Sequence, residues 1–430
     1  LTPVPFPTER SNTMHDVFYD RLESRDPAER EAALMQALPA QVAHAQAASA
    51  AFAQILQGVN AAAVNSRQTL ARLPVTRKHA LLERQQAQRG QDRFGGFSAI
   101  DFGAAMPRVF ASPGPIYEPE GRAPDYWRLA RSMFAAGFRP GELLHNCFSY
   151  HFVPAGSMME TGAHALGCTV FAAGTGQTEQ QVQAMAELRP SGYIGTPSFL
   201  KIIVEKAIAM GVALPSVTKA LFGGEAYPPS LRDWFLERGI QGYQCFATAD
   251  LGLIAYETQA REGLVLDESV IVEIVRPGTG DPVPDGEVGE LVVTTLNPDY
   301  PLIRFGTGDL SAILPGPCPT GRTNGRIRGW MGRADQTTKI RGMFVHPGQV
   351  QAIAKRFPEV TKARLLVRGE MANDTMTLQV ETSCSGPDAL VEKLGAAIRE
   401  VTKLRGEVEL MLPGSLPNDG KVIEDARSYK

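Results

Sequence analysis

Short apolar runs that alternate with helix-like stretches constrain the fold of this chain more than any other feature of its sequence. From about residue 107, such runs occur at 108–111, 168–173, 193–195 and 220–222, and each is followed by sequence typical of a helix. This alternation predicts an α/β layered domain with a largely parallel sheet, because helices cover the faces of such a sheet.

The regions on either side of this alternation differ from it. Residues 27–60 are rich in Ala, Gln and Leu and predict long helices, and Thr76 is expected to cap a further helix. Residues 265–314 predict antiparallel strands joined by tight turns, which would form a small β-subdomain. We therefore expect a large N-terminal domain over residues 1–331, with helices on sheets.

The last part of the chain predicts a second domain. Pro and Gly cluster between residues 315 and 332, which is typical of a linker or hinge. Beyond this cluster, strand-like runs at 364–368 and 375–381 flank helices, one of which, 388–404, carries an apolar stripe. We expect a small α+β domain over residues 332–430.

Composition argues against several functional classes. The chain has 430 residues, and 43 Lys and Arg against 46 Asp and Glu give a net charge of −3, which disfavours a nucleic acid partner. Five scattered cysteines disfavour a disulfide framework or a zinc site and are typical of a reducing cytoplasm. No apolar run approaches the roughly 18–20 residues of a membrane span, so we expect no membrane association.

Four short motifs occur in a fixed order along the chain. They are Phe-Gly-Gly-Glu-Ala at 222–226, Arg-Phe-Gly-Thr-Gly-Asp at 304–309, Gly-Arg-Ala-Asp at 332–335 and Leu-Pro-Asn-Asp-Gly-Lys at 416–421. Each motif alone is a weak signal. Together and in this order they resemble the phenylacetate-CoA ligase family of the adenylate-forming, acyl-CoA synthetase superfamily, over most of the chain.

The resemblance implies a reaction in two steps. A carboxylate attacks the α-phosphate of ATP to give an acyl-adenylate and pyrophosphate. The small C-terminal domain then rotates, and the thiol of CoA displaces AMP. The implied cofactors are ATP or AMP, Mg²⁺ and CoA, and the implied substrate is a small carboxylic acid, expected to be aromatic.

The resemblance assigns catalysis to Lys421, which stands on the C-terminal lysine of the family. The first step brings two anions together, so it requires a cation at the junction of carboxylate and phosphate. The alternative for Lys421 is a solvent-exposed lysine near a chain end.

The resemblance also implies a nucleotide site. Gly223, Gly224 and Glu225 resemble the floor beneath the adenine, where glycines allow a ligand to approach the backbone. Phe246 matches the aromatic residue beside the adenine, and Asp309 matches the acid that accepts both ribose hydroxyls. Ordinary turns are the alternative for the glycine pair and for Asp309.

Five further residues match family positions. Arg304 and Arg333 resemble arginines near the nucleotide and the hinge, and Asp335 stands at the hinge position. Tyr150 and Phe152 fall where relatives place the aromatic residues of the acyl pocket, although a core strand is the alternative for this pair.

Two departures from the family concern phosphate and metal. The family's phosphate loop reads Ser-Ser-Gly-Thr-Thr-Gly-Lys-Pro, whereas residues 112–119 place prolines without N–H donors at 113 and 115, lack both threonines and have Glu118 at the lysine position. We therefore expect ATP to bind no more tightly than AMP, and expect family residues at 113 and 115–118 to strengthen ATP binding. The Mg²⁺-binding glutamate of the family is replaced by the shorter Asp250.

These observations leave three hypotheses open. The leading one is an ATP-dependent aryl- or acyl-CoA ligase. The second is a non-catalytic paralogue that keeps the fold and binds an acid, a nucleotide or a protein partner. The third is adenylation with transfer to an acceptor other than CoA. The sequence also leaves the oligomeric state open, with a homodimer as one option.

Overall fold

A computed structural model provides the structure of the chain. It describes residues 17–112, 114, 116–331, 334, 338–341, 343–345, 347–369, 374–383, 387–417 and 421–427. None of the helices in these ranges is both long and apolar enough to cross a membrane.

Helices and strands alternate through most of the described chain. The helices are α1 (Pro27–Ala48), α2 (Ala50–Ile55), α3 (Arg67–Leu70), α4 (Lys78–Gln88), α5 (Ala130–Ala135), α6 (Ala155–Leu166), α7 (Thr178–Leu188), α8 (Pro197–Ala209), α9 (Pro229–Leu236), α10 (Pro347–Ala354) and α11 (Pro387–Thr402). The strands are β1 (Thr76–Arg77), β2 (Arg108–Ser112), β3 (Ile116–Glu120), β4 (Leu143–Asn146), β5 (Thr169–Ala172), β6 (Gly192–Gly195), β7 (Lys219–Phe222), β8 (Gln241–Thr248), β9 (Gly252–Glu257), β10 (Leu264–Leu266), β11 (Val270–Val275), β12 (Gly289–Thr295), β13 (Phe305–Ser311), β14 (Ile313–Leu314), β15 (Arg326–Ile327), β16 (Thr338–Ile340), β17 (Met343–Val345), β18 (Val360–Arg368), β19 (Thr375–Thr382), β20 (Glu407–Met411) and β21 (Ile423–Asp425).

The largest sheet has nine strands in the order β14-β15-β10-β9-β8-β7-β6-β4-β5. The five strands β8, β7, β6, β4 and β5 are parallel. The other four strands continue the sheet beyond β8, and each is antiparallel to its neighbours. The predicted α/β class is confirmed, with the parallel arrangement limited to one half of the sheet. Strand β4 lies outside the predicted runs because half of its four residues, His145 and Asn146, are polar although buried.

The apolar run at 108–111 forms a strand, but not in the parallel sheet. It lies in β2, which pairs with β3 as a separate antiparallel hairpin, and a strand rather than a helix follows it. The predicted position of this run was wrong, because an apolar run indicates a strand without indicating its partner.

The β-subdomain follows the prediction. Strands β11, β12 and β13 are antiparallel neighbours, and β1 adds to β13 in parallel. Thr76 does not cap a helix as expected. It pairs with Phe305, and its N–H donates to the carbonyl of Arg304 at 2.9 Å. The helix α4 instead follows Arg77, which makes no side-chain cap.

The segment 315–331 belongs to the large domain and is not the linker that its Pro and Gly content predicted. Strand β15 pairs with β10 and β14 inside the nine-stranded sheet. Cys318 is buried in the adjoining apolar core, and Arg322 pairs with the buried Glu23 at 3.0 Å. The prolines and glycines therefore shape turns between packed strands.

The C-terminal elements form a compact α+β unit, as expected. The strand order β20-β19-β18-β21 defines a mixed sheet. The apolar stripe of α11, through Leu390, Leu394 and Ile398, is buried in a core built from residue 340 onward. The predicted boundary at 332 lies outside the described residues, so the domain limits remain a prediction.

Arg304, expected near the nucleotide, is a buried structural residue. Its side chain is only 2% exposed. Its Nε donates to Glu273 Oε2 at 3.0 Å, and its other nitrogens donate to the carbonyls of Ala71, Leu73 and Gly280. These contacts to one buried carboxylate and three carbonyls occupy the guanidinium inside the protein, so the nucleotide assignment of Arg304 was wrong.

Replacing Arg304 by Ala should lower the free energy of unfolding by about 3–5 kcal/mol, because it leaves the Glu273 carboxylate buried without its partner. Urea unfolding of the purified variant measures this change. The control is Arg276→Ala, whose side chain is 66% exposed and 4.0 Å from Glu287, and which should behave like the parent protein. Equal effects of the two substitutions would contradict this account of Arg304.

Candidate active site

Four of the predicted nucleotide residues lie together at one edge of the parallel half-sheet. Gly223, Gly224 and Glu225 directly follow β7, and Phe246 lies near the end of β8. The register pairs Phe222 with Gln244, so the loop after β7 lies level with Phe246. Ligands bind to open α/β sheets at this carboxyl edge, which makes it the expected place for a nucleotide.

The loop after β7 is held in a fixed shape. Gly224 has a φ of +76°, in the region that favours glycine. Glu225 accepts a hydrogen bond at 2.5 Å from Ser198 Oγ, on helix α8. The loop therefore forms an ordered, side-chain-poor floor that fits a flat base such as adenine.

Asp309 lies on β13, in the β-subdomain, and is 8% exposed. Its backbone N–H donates to Thr307 Oγ1 at 3.1 Å, and its Oδ1 accepts from the indole Nε1 of Trp330 at 3.0 Å. A carboxylate offers about four lone-pair sites, so the indole contact is compatible with the ribose hydroxyls.

Asp250 lies in a buried cluster with Lys78 and Glu118. The Lys78 ammonium donates to Asp250 Oδ2 at 2.8 Å. Glu118 lies beside Asp250 and accepts from Ser112 Oγ at 2.8 Å. Burial, followed by the negative charge of Asp250, raises the pKa of Glu118 well above its usual range. The cluster therefore tends to keep a proton on Glu118.

The hairpin β2–β3 stands where the resemblance implies a phosphate loop. Ser112 pairs with Ile116, so only three residues separate the two strands, and the prolines at 113 and 115 lie outside the described residues. Ile116 belongs to the apolar core and Glu118 is fully buried. Positions 116–118, where family residues are expected to strengthen ATP binding, are therefore strand residues, and that expectation remains a prediction.

Three buried oxygens lie around this cluster outside the other hydrogen bonds: Glu118 Oε2, Asp250 Oδ1 and the Tyr300 hydroxyl. A proton on Glu118 can be shared with the neighbouring Asp250 carboxylate. No group of three or more His, Cys, Asp or Glu side chains in the described part of the chain is arranged to hold a metal ion. Mg²⁺ commonly uses only one or two carboxylates together with substrate phosphates, so the buried Asp250 carboxylate fits a Mg²⁺ ligand.

The C-terminal candidates are only partly described. Lys421 is exposed and lies two residues before β21, which is a strand of the C-terminal sheet. Arg333 and Asp335 lie outside the described residues. The assignments of all three residues therefore remain predictions.

The two acyl-pocket candidates lie in the loop between β4 and α6. The Tyr150 hydroxyl accepts from Asn146 Nδ2 and donates to Glu160 Oε2, both at 2.9 Å. Phe152 has a φ of +60° and is 77% exposed, so it does not line an enclosed pocket here.

Sequence reasoning missed three residues of the site, Lys78, Ser112 and Trp330. Lys78 directly follows Thr76 and Arg77, and none of the four motifs includes it. The contacts of Ser112 and Trp330 depend on strand pairing and could not be seen in a motif.

Comparison with known proteins identifies the family. Residues 127–297 match the model of the AMP-binding enzyme family. The phenylacetate-coenzyme A ligase of Aromatoleum evansii is 32% identical over 76% of this chain and 75% of its own length. The ligase of the same name from Thermus thermophilus is 35% identical over 59% of each chain. The chain belongs to the phenylacetate-CoA ligase family.

Solved structures share the fold over nearly the whole chain. A crystal structure of 2-hydroxyisobutyryl-CoA ligase with 2-HIB-AMP and CoA, in the thioesterification state, gives a TM-score of 0.82 at 24% identity and covers 99% of this chain and 96% of its own. The same enzyme in the postadenylation state with R3-HIB-AMP gives 0.69 at 25% identity, covering 94% and 91%. Membership of the phenylacetate-CoA ligase family confirms the predicted resemblance and favours an acid–thiol ligase over a non-catalytic paralogue.

Replacing Glu118 by Gln should change the pH dependence of stability. A raised carboxyl pKa means that the folded chain holds a proton that the unfolded chain releases. The free energy of unfolding therefore falls as pH rises. The fall occurs between the ordinary carboxyl pKa of about 4.3 and the raised pKa of the folded chain. A glutamine at this position would have no proton to lose and would still accept from Ser112. The variant should therefore gain stability relative to the parent as pH rises.

Urea unfolding at several pH values above 4 measures this difference. The control is Glu237→Gln, which alters a largely exposed carboxylate. Parallel pH profiles for the parent and the Glu118 variant would show that the buried carboxyl is not protonated in the folded chain.

Proposed function

We propose that this chain is an ATP-dependent ligase that joins a small carboxylic acid, most suitably an aromatic one, to CoA through an acyl-adenylate. The observation that carries the proposal is the alignment of Gly223, Gly224, Glu225 and Phe246 at the carboxyl edge of the parallel half-sheet. This edge supplies a base-binding floor, and Asp309 supplies a buried acceptor for ribose.

Lys421 would provide the cation for adenylation. The attacking carboxylate and the α-phosphate repel each other, and an ammonium between them stabilises the charge that develops in the transition state. Lys421 is exposed on the C-terminal domain, so we propose that residues 332–430 move as a unit about Asp335 to deliver it. Arg333 would approach the nucleotide beside this hinge.

Asp250 is proposed as the Mg²⁺ ligand. Its carboxylate is buried beside that of Glu118, while Lys78 neutralises its Oδ2. Bound Mg²⁺ would neutralise phosphate charge. Asp250 would hold this ion beside the phosphates, and Lys78 would place a further positive charge near them.

An aromatic acid is proposed because Tyr150 is positioned by two hydrogen bonds beside helix α6. Its ring would form one wall of the acyl pocket, and the exposed Phe152 would cover an aromatic acid once it is bound. The family relatives named for phenylacetate support an aryl acid.

The Lys421→Ala variant should lose adenylation and keep its fold. Removing the positive charge at the junction of two anions is expected to slow acid-dependent pyrophosphate release by about 10²–10³-fold, as for one oxyanion-stabilising group. The matched control is Lys393→Ala, an exposed lysine on α11, which should retain full activity. Equal activity of both variants would remove Lys421 from the reaction.

ATP should bind this chain no more tightly than AMP. Only three residues separate the paired Ser112 and Ile116, and two of these three are prolines without an N–H donor for a triphosphate. Calorimetry with AMP and with ATP, each with and without Mg²⁺, measures the affinities. A micromolar affinity for Mg-ATP that far exceeds the affinity for AMP would contradict this interpretation of the hairpin.

Turnover with a panel of acids tests the substrate class. Pyrophosphate release and CoA thioester formation should both be faster with aryl acids than with short aliphatic acids. Adenylation without thioester formation would favour an acceptor other than CoA. No turnover with any acid, in the presence of AMP binding, would favour the non-catalytic paralogue.

A further inference from the structure

Trp330 contacts the proposed ribose acceptor from a segment that the function does not otherwise use. This segment, the strap, comprises residues 328–331 and Ala334 and runs alongside β13. The Arg328 N–H donates to the carbonyl of Ala312 at 2.9 Å, and the Met331 N–H donates to that of Leu310 at 2.9 Å. The strap therefore lies antiparallel to the strand that carries Asp309.

The strap is hydrogen-bonded to β13 on both sides of Trp330. Ser311 Oγ donates to the carbonyl of Gly329 at 2.7 Å, and the Ala334 N–H donates to the carbonyl of Gly308 at 2.6 Å. These bonds fix the backbone on either side of the indole. The indole N–H of Trp330 is thereby aimed at Asp309 Oδ1, 3.0 Å away.

The exposure of Trp330 is unusual for its type. The side chain is 42% exposed, although tryptophan is usually highly buried, and it belongs to none of the apolar cores of the described residues. Its polar N–H, in contrast, points at Asp309, which is only 8% exposed. The ring is thus placed for its hydrogen bond and not for packing in a core.

We propose that Trp330 is a positioning residue that holds the Asp309 carboxylate in the orientation required by the ribose hydroxyls. The proposal rests on the function proposed above, in which Asp309 accepts those hydroxyls. A hydrogen bond to a charged acceptor is short and directional, so it restricts the rotation of the carboxylate. The carboxylate can then present lone pairs to the two hydroxyls without reorganisation on binding.

This role makes a prediction that a purely structural role does not. Loss of the N–H should weaken only ligands whose ribose hydroxyls reach Asp309. AMP and 2′,3′-dideoxy-AMP share the base and phosphate and differ only in those hydroxyls. A general loss of structure would weaken the binding of both ligands equally.

Calorimetry with both nucleotides tests the proposal on the full chain. The parent should prefer AMP to dideoxy-AMP. The Trp330→Phe variant, which keeps a ring and loses the N–H, should bind AMP about tenfold more weakly, the loss expected for one charge-assisted hydrogen bond, and should bind dideoxy-AMP as before. The control is Trp234→Phe, on α9, which should leave both affinities unchanged.

The Asp309→Asn variant separates this inference from the function on which it rests. If the Asp309→Asn variant loses the preference for AMP and the Trp330→Phe variant keeps it, Asp309 binds ribose but Trp330 does not position it. If the Asp309→Asn variant keeps the preference, Asp309 is not the ribose acceptor and both proposals fail. If both single variants lose the preference and the double variant is no weaker than Asp309→Asn, the two residues act as one unit.

Tryptophan emission of the unmodified chain provides a measurement that does not depend on a variant folding. Ribose binding at Asp309 should alter the surroundings of the exposed Trp330 ring, so AMP should change the emission and dideoxy-AMP should change it less. An equal response to both nucleotides would contradict the proposal.

Discussion

The buried contacts of Arg304 are the constraint on which the geometry of the site depends. This guanidinium binds Glu273 and three backbone carbonyls, and so joins β13 to the segment before β1. Strand β1 can then lie in parallel beside β13, with Thr76 opposite Phe305. Because β1 leads directly into α4, the same join brings Lys78 to Asp250, which lies in the turn between β8 and β9. The contacts of Arg304 thus connect β13 to the segment that carries Lys78.

The fold was largely predictable because its signals are local. Apolar runs and their spacing indicate strands and helices, and the C-terminal stripe of Leu390, Leu394 and Ile398 follows helical periodicity. The failures have a common physical cause. The predictions of a parallel partner for β2 and of a linker at 315–331 were wrong, because the partner of a strand is decided by contacts distant in sequence.

The residues of the candidate site fall into the same two groups, those with a local sequence signal and those placed by contacts distant in sequence. Gly223, Phe246 and Asp309 could be proposed from the sequence because they match family positions, and the structure places Gly223 and Phe246 at one edge of the sheet. Glu118 could be placed only at a loop position, since its burial depends on the pairing of Ser112 with Ile116. Trp330 could not be predicted, because it lies outside the motifs and reaches Asp309 only through the pairing of two segments that motif spacing does not reveal.

The β2–β3 hairpin affects only one part of nucleotide binding, the part that involves the outer phosphates. The proposed contacts to adenosine, at Gly223, Phe246 and Asp309, would be made equally by ATP and AMP, whereas contacts to the outer phosphates would depend on the few residues between the paired Ser112 and Ile116. In the proposed reaction the attack takes place at the α-phosphate, which Lys421 would stabilise. Binding that is uniform in ground and transition states affects KM rather than kcat. Such a hairpin is therefore compatible with catalysis at high ATP concentration, because it would weaken the capture of the triphosphate and not the chemical step.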